Sequence, residues 1–208
     1  FERTISLPLD LTDHVKKYPE RTQISSTGSM LVINGQLDEE PWQGAPTIPR
    51  LIPRQADGYT PFDTEAWMTY DDSFLYVAVR CHEPVLRDIL SEATTRDGNV
   101  RNDDSIELML DINNDKKTFY HFAVNSGGVL YDARRDDQKW DSTAILASEK
   151  EEGAWTVEMA IPLKEINAYP AAHRVWGFQM ARNRPRFEEK KSYQWSPTFW
   201  YGNYMPRF

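Results

Sequence analysis

The side chains best able to do chemistry gather between Asp103 and Gly128, in the stretch DDSIELMLDINNDKKTFYHFAVNSGG. Glu107, His121 and Asn125 fall in one phase of two alternating runs, so a pair of strands would present a carboxylate, an imidazole and an amide together on one face. Three chemistries are open to such a face. Glu107 and Glu158 both lie on strand-like runs, and two carboxylates at a suitable separation are what glycoside hydrolysis needs; a solvated or structural role for Glu158 competes with that reading. Asp111, Asn113 and Asp115 supply oxygens in a D-x-N-x-D order, as calcium loops do at their start. Lys116 and Phe122 stand where an EF-hand wants Gly and Glu, so a tight turn accounts for the same residues. The third chemistry is recognition without reaction. A pyranose has a CH-rich face that packs on an indole, and its hydroxyls need partners such as Glu107, Asn125, His121 and Gln179 around the rim.

The motifs of common catalysts are missing. The chain has no GxSxG, HExxH, phosphate loop or dinucleotide fingerprint, and its four histidines stand apart at positions 14, 82, 121 and 173. This favours a binding module over an enzyme. Cys81 is the single cysteine, so no intramolecular disulfide forms. It shares a phase with Leu75, Val77 and Val79, which predicts an inert buried thiol.

The elements that would position these residues are mostly strands. Ile106, Leu108 and Leu110 alternate with Glu107 and Met109, the DINNDKK run turns the chain, and Tyr120, Phe122 and Val124 carry the apolar phase of the returning strand. A second hairpin is expected from Glu65–Tyr70 and Phe74–Glu83 across Asp71-Asp72-Ser73. Val129–Ala133, Thr143–Ser148, Trp155–Ile161, Val175–Arg182 and Ser192–Trp195 read as further short strands. MLVING reads as another, followed by Trp42 as a plug at one end of the core and by the proline-punctuated TIPRLIPR, which fits only an edge. PVLRDILSEAT can make a helix of two or three turns. The expectation is an all-β, antiparallel β-sandwich, immunoglobulin- or jelly-roll-like, with one short helix. Residues 1–29 read as an N-terminal arm and residues 30–208 as one domain.

Composition narrows the partners. With 208 residues, 40% of them hydrophobic, the chain can bury the core of a single domain. A net charge of -8 with basic residues scattered among acidic ones argues against nucleic acid. No apolar run approaches the roughly 18 residues of a membrane span. Seven Trp and ten Tyr are a rich aromatic supply for core packing or for ligand stacking. A chain that begins at Phe1 leaves room for a leader or a neighbouring domain ahead of it.

The ordered set LYVAVRCHEP, NDDSIELMLDINND, FAVNSGG, AWTVEMAIPLKEI, WGFQMARN and QWSPTFW resembles the family 9 carbohydrate-binding modules and their relatives, from about Met30 to the C-terminus. The resemblance implies a β-sandwich, often stabilised by calcium, extracellular or periplasmic, attached to or secreted with polysaccharide-degrading enzymes. It implies a terminal sugar held between two tryptophans. The acidic residue that bonds sugar hydroxyls falls on Glu107 and the asparagine of F-x-V-N on Asn125. The aromatic expected six residues before the Glu is Arg101, and the expected basic residue between Phe122 and Val124 is Ala123. The second stacking tryptophan falls on Trp200, beside Phe199 and Tyr201, where a plug over the sandwich edge is the competing role. A one-sided platform is therefore expected. If calcium is bound, Asp111, Asn113 and Asp115 are its expected ligands. Related sandwiches also bind haem, for which Met109 and His121 would be the candidates, and an interaction or spacer module without a small ligand is the third class.

Overall fold

Alternating apolar residues in the sequence become the inner faces of two packed sheets. The computed structural model describes residues 22–53, 63–135, 137–169, 175–185 and 191–195. Sheet A is ordered β1 (Ser25–Ser26), β3 (Thr64–Tyr70), β4 (Phe74–His82), β9 (Ala154–Pro162), β8 (Ile145–Glu151). Sheet B is ordered β2 (Ile52–Pro53), β11 (Lys191–Gln194), β10 (Gly177–Arg184), β5 (Ser105–Asp111), β6 (Tyr120–Asn125), β7 (Leu130–Arg134). Neighbours run antiparallel except β1, which lies parallel to β3. Ser25, Ser26 and Thr27, read from sequence as part of an arm, therefore lie along an edge of sheet A. The proline-punctuated strand takes an edge of sheet B, where its missing N–H groups cost no ladder bond.

Leu75, Val77, Val79 and Cys81 of β4 and Trp155, Val157, Met159 and Ile161 of β9 face Ile106, Leu108, Leu110, Phe122, Val124 and Met180 of sheet B in one core. Burial pushes the Cys81 thiol up to about 12, so it is a packing group and no nucleophile at neutral pH. One region of this core is ionic. Arg182, fully buried and paired with Ile106 on the inner phase, donates to the Thr64 hydroxyl and the His82 carbonyl. Arg184 Nε donates to the buried Glu83 at 2.7 Å.

Three sequence expectations change here. PVLRDILSEAT is not a helix of two or three turns: only Leu86–Asp88 forms one 3₁₀ turn. The N–H groups of Leu90, Glu92 and Ala93 are taken by the carboxylates of Asp104 and Asp103, which replace the carbonyls a helix would offer. MLVING keeps its alternation, with Leu31 and Ile33 packed down and Met30 and Val32 exposed, yet it pairs with no strand. Trp42 does not plug an end of the core. It packs with Leu31, Ile33 and Leu37 over Trp67, Tyr76, Ala78 and Ala160, on the outer face of sheet A.

Candidate functional site

The outer face of sheet B is built in rows by its strand register. Asn183, Ser105 and Asn125 form one row; Gln194, Ala181, Glu107, Ala123 and Tyr131 form the next; Gln179, Met109, His121 and Ala133 form the third. Glu107 sits at the centre, only 1% exposed. His121 Nε2 lies 2.7 Å from its Oε2, and Asn183 Nδ2 donates to its Oε1 at 2.6 Å. Burial pushes this carboxyl upward, but the bonds from His121 and Asn183 and the positive charge of Arg101 outweigh it and hold Glu107 below its ordinary value. The group is therefore an ionised acceptor held rigidly, and each oxygen keeps a second lone pair.

The 3₁₀ turn Val100–Asn102 lies against β5 and β6, with Val100 packed on Ala123, Tyr131 and Ala133. Small Ala123 makes room for it. The turn sets the exposed Arg101 with its guanidinium carbon 5.0 Å from the Tyr131 ring centre. His121 meets the same ring edge-on, centroids 5.4 Å apart. Glu107, His121, Tyr131 and Arg101 thus form one contiguous set of side chains across three strands, the first three buried and Arg101 exposed. Arg101 and the half-buried Asn183 are where solvent reaches it.

The other sequence candidates fall as follows. Asn125 is fully buried, and its amide is spent: Nδ2 donates to Ala93 O and Asp103 Oδ2, while Oδ1 accepts from Gly127 and Val129. It holds the 93–103 segment over the face. Gln179 is buried beside Met109, and its Oε1 accepts from the Met180 N–H at 3.2 Å. Trp200 lies outside the described residues. Met109 and His121 are direct cross-strand partners, but the imidazole nitrogen that would meet an iron is held by Glu107. Glu158 does not join Glu107 in an acid–base pair. It lies on the outer face of the opposite sheet, accepting from the N–H groups of Asn34 and Gly35 and from Trp42 Nε1. Burial and the nearby Glu39 raise its carboxyl above the ordinary value despite those bonds.

Asn183 and Tyr131 were missed from sequence. Asn183 is in phase with Gln179 and Ala181, so extending the predicted strand by one residue would have found it. Tyr131 lay in a recognised strand, and only the register of β6 on β7 shows that it borders the site.

The expected calcium ligands close a turn on themselves. Asp111 accepts from the N–H groups of Asp115 and Lys116, Asp115 accepts from Lys117 and Thr118, and Asn113 is exposed. Asn114 and Lys116 take positive φ of 52° and 60°. A metal there would have to displace those bonds, so the tight-turn reading fits the geometry. A second acidic group, unnoticed in the sequence, is Asp97, Asp132 and Asp141, with carboxylate oxygens within 4.8 Å of one another. Its centre is taken by Arg96, whose Nη2 donates to both Asp132 oxygens at 2.7 and 2.8 Å and to the Ser142 carbonyl at 2.9 Å. In both sets protein donors engage a carboxylate, Asp111 and Asp115 in the turn and Asp132 beside Arg96, while Asp97 and Asp141 are exposed.

This sandwich has known counterparts. A carbohydrate-binding module of family 9 from Caldicellulosiruptor kristjanssonii, solved in complex with cellotriose, superposes with a TM-score of 0.58 at 20% identity, covering 82% of each chain. A second structure of such a module from that organism, in complex with glucose, gives a TM-score of 0.56 at 17% identity over 82% of this chain and 84% of that one. No curated protein is similar enough in sequence to count as a relative. At these identities the structures speak for the fold alone. The sequence model of carbohydrate family 9 binding domain-like proteins matches residues 33–198, which spans both sheets, the turn bearing Arg101 and the central glutamate, so the chain belongs to that non-catalytic family.

Proposed function

We propose that this domain binds a saccharide on the outer face of sheet B, with Glu107 as the fixed acceptor of sugar hydroxyls. The observation that carries the reading is the state of that one group: buried, held ionised, and oriented by His121 and Asn183 before any ligand arrives. A sugar hydroxyl donating to it makes a charge-assisted bond without having to order the side chain first. Asn183 and Arg101 flank the approach, and Tyr131 lies beneath Arg101. Family membership and neighbours solved with cellotriose and glucose support the ligand class. An accessory place beside polysaccharide degradation, outside the cytoplasm and next to other domains, goes with this reading on family grounds. No helix among the described residues is long and apolar enough to cross a membrane.

Calorimetry against mono- and oligosaccharides tests it. Glu107→Gln weakens binding by about 1–3 kcal/mol, the range for hydrogen bonds to a charged group. Failure of every saccharide at millimolar concentration, with the parent folded, replaces this reading with an interaction or spacer module. A coloured purified protein would bring back the haem reading.

A further inference from the structure

We infer that the saccharide taken by this face is acidic, a uronic acid unit whose carboxylate sits on Arg101 while its hydroxyls reach Glu107. This rests on the saccharide reading above. On a chain of net charge -8, acidic partners for cations are plentiful. Arg80 meets Glu151, Arg87 meets Asp88, Arg96 meets Asp132, and Arg184 meets Glu83. Arg101 differs from those four: exposed, with neither an ion pair nor a side-chain hydrogen bond among the described residues, it lies on the face of Tyr131 as Arg134 lies on that of Tyr120, but Arg101 alone of the two adjoins Glu107, whose carboxyl its charge lowers. Glu107, the carboxylate its charge lowers, is engaged by His121 and Asn183.

The two ends of the site therefore differ in kind. Glu107, ionised, only accepts; a guanidinium only donates, through five N–H groups in a planar fork. Tyr131 faces Ala123, and Ala123 faces Glu107, so the ring under the donor end lies two strands from the acceptor end, and the Arg101 charge above it is near enough to lower the Glu107 carboxyl. Neutral hydroxyls satisfy both ends but gain nothing special from the charge on the fork. A uronate brings hydroxyl donors for Glu107 and a planar carboxylate matched to the guanidinium. Repulsion from Glu107 fixes the direction, turning the ligand's carboxylate toward Arg101. The family position held by an aromatic is thus occupied by a residue that reads charge.

The test is calorimetry of the intact chain against trigalacturonate, cellotriose and a sulfated trisaccharide, at low and at physiological salt. The expected result is about three- to tenfold tighter binding of trigalacturonate than of cellotriose, a preference that shrinks as salt screens the exposed charge. Arg101→Gln brings the ratio of the two affinities near one, while Arg101→Lys keeps part of the preference and its salt dependence. Because Arg101 is exposed, the variants should melt as the parent does, which a thermal scan checks. Cellotriose bound as well as or better than trigalacturonate overturns the inference and leaves the saccharide reading standing. Preference for the sulfated sugar, or an unchanged ratio in Arg101→Gln, overturns the assignment of a carboxylate to Arg101. Binding of none of the three overturns both readings.

Discussion

A carboxylate sunk to 1% exposure yet held ionised is costly unless donors surround it, and Glu107 has them on both oxygens. The consequence is a pH dependence with a definite sign. Because the folded state lowers Glu107 below the ordinary carboxyl value, its contribution to stability is present above that ordinary value and is lost as pH falls through the depressed folded value. Saccharide binding that uses the ionised acceptor fades in the same direction. Acid titration of unfolding free energy should therefore show a steeper decline for the parent than for Glu107→Gln, which cannot take up that proton. Parallel acid limbs for the two proteins would mean that Glu107 has no depressed value. Glu158, shifted the opposite way by burial and by Glu39, works against this slope rather than adding to it.

Elements are held in place here by side chains that stand in for something else. Asp103 and Asp104 stand in for helix carbonyls, and Arg96 stands in for a metal among Asp97, Asp132 and Asp141. The parent's melting temperature should accordingly be unchanged by EDTA or added calcium. Arg96→Ala should lose about 1–3 kcal/mol, since Asp132 is buried and loses its charged partner. That variant, unlike the parent, should regain stability with calcium, because the three carboxylates are then left without the cation between them. A parent that melts earlier in EDTA would put a structural metal back into the fold. The same elements show what a sequence can carry. Period-two alternation in β4, β5, β6 and β9 is local, so the paired sheets and the face bearing Glu107 and His121 were legible. The 84–104 segment was not, because its helical pattern competes with two carboxylates ten to fourteen residues downstream. Asn125 was read correctly as facing outward, but its saturation by Ala93, Asp103, Gly127 and Val129 depends on where that segment lies. Glu158 and Glu107 look equivalent in sequence, and only the sheet order puts them on opposite sides of the molecule.

At the scale of the whole molecule the two outer faces are built differently. Sheet A is covered by the 31–42 segment, so Trp67, Tyr76, Ala78 and Ala160 are buried on their outer side as well. Gly35 closes that cover: at φ 86° it brings its N–H 2.7 Å from Glu158 Oε2, and an added Cβ would meet Glu149 Cγ at 2.8 Å. Trp42 is its anchor, 4% exposed, with Nε1 donating to Glu158 Oε1 at 2.9 Å. Trp42→Ala removes the largest apolar group of the cover and one donor from a buried carboxylate, so it should cost about 3–5 kcal/mol in urea unfolding. Saccharide affinity should stay within experimental error of the parent under conditions where the variant is folded. The whole sandwich lies between Trp42 and Glu107, and distant sites without shared partners act independently. Equal loss of stability and affinity would show instead that the cover on sheet A sets the geometry of the face on sheet B, and the division of labour between the two faces would be wrong.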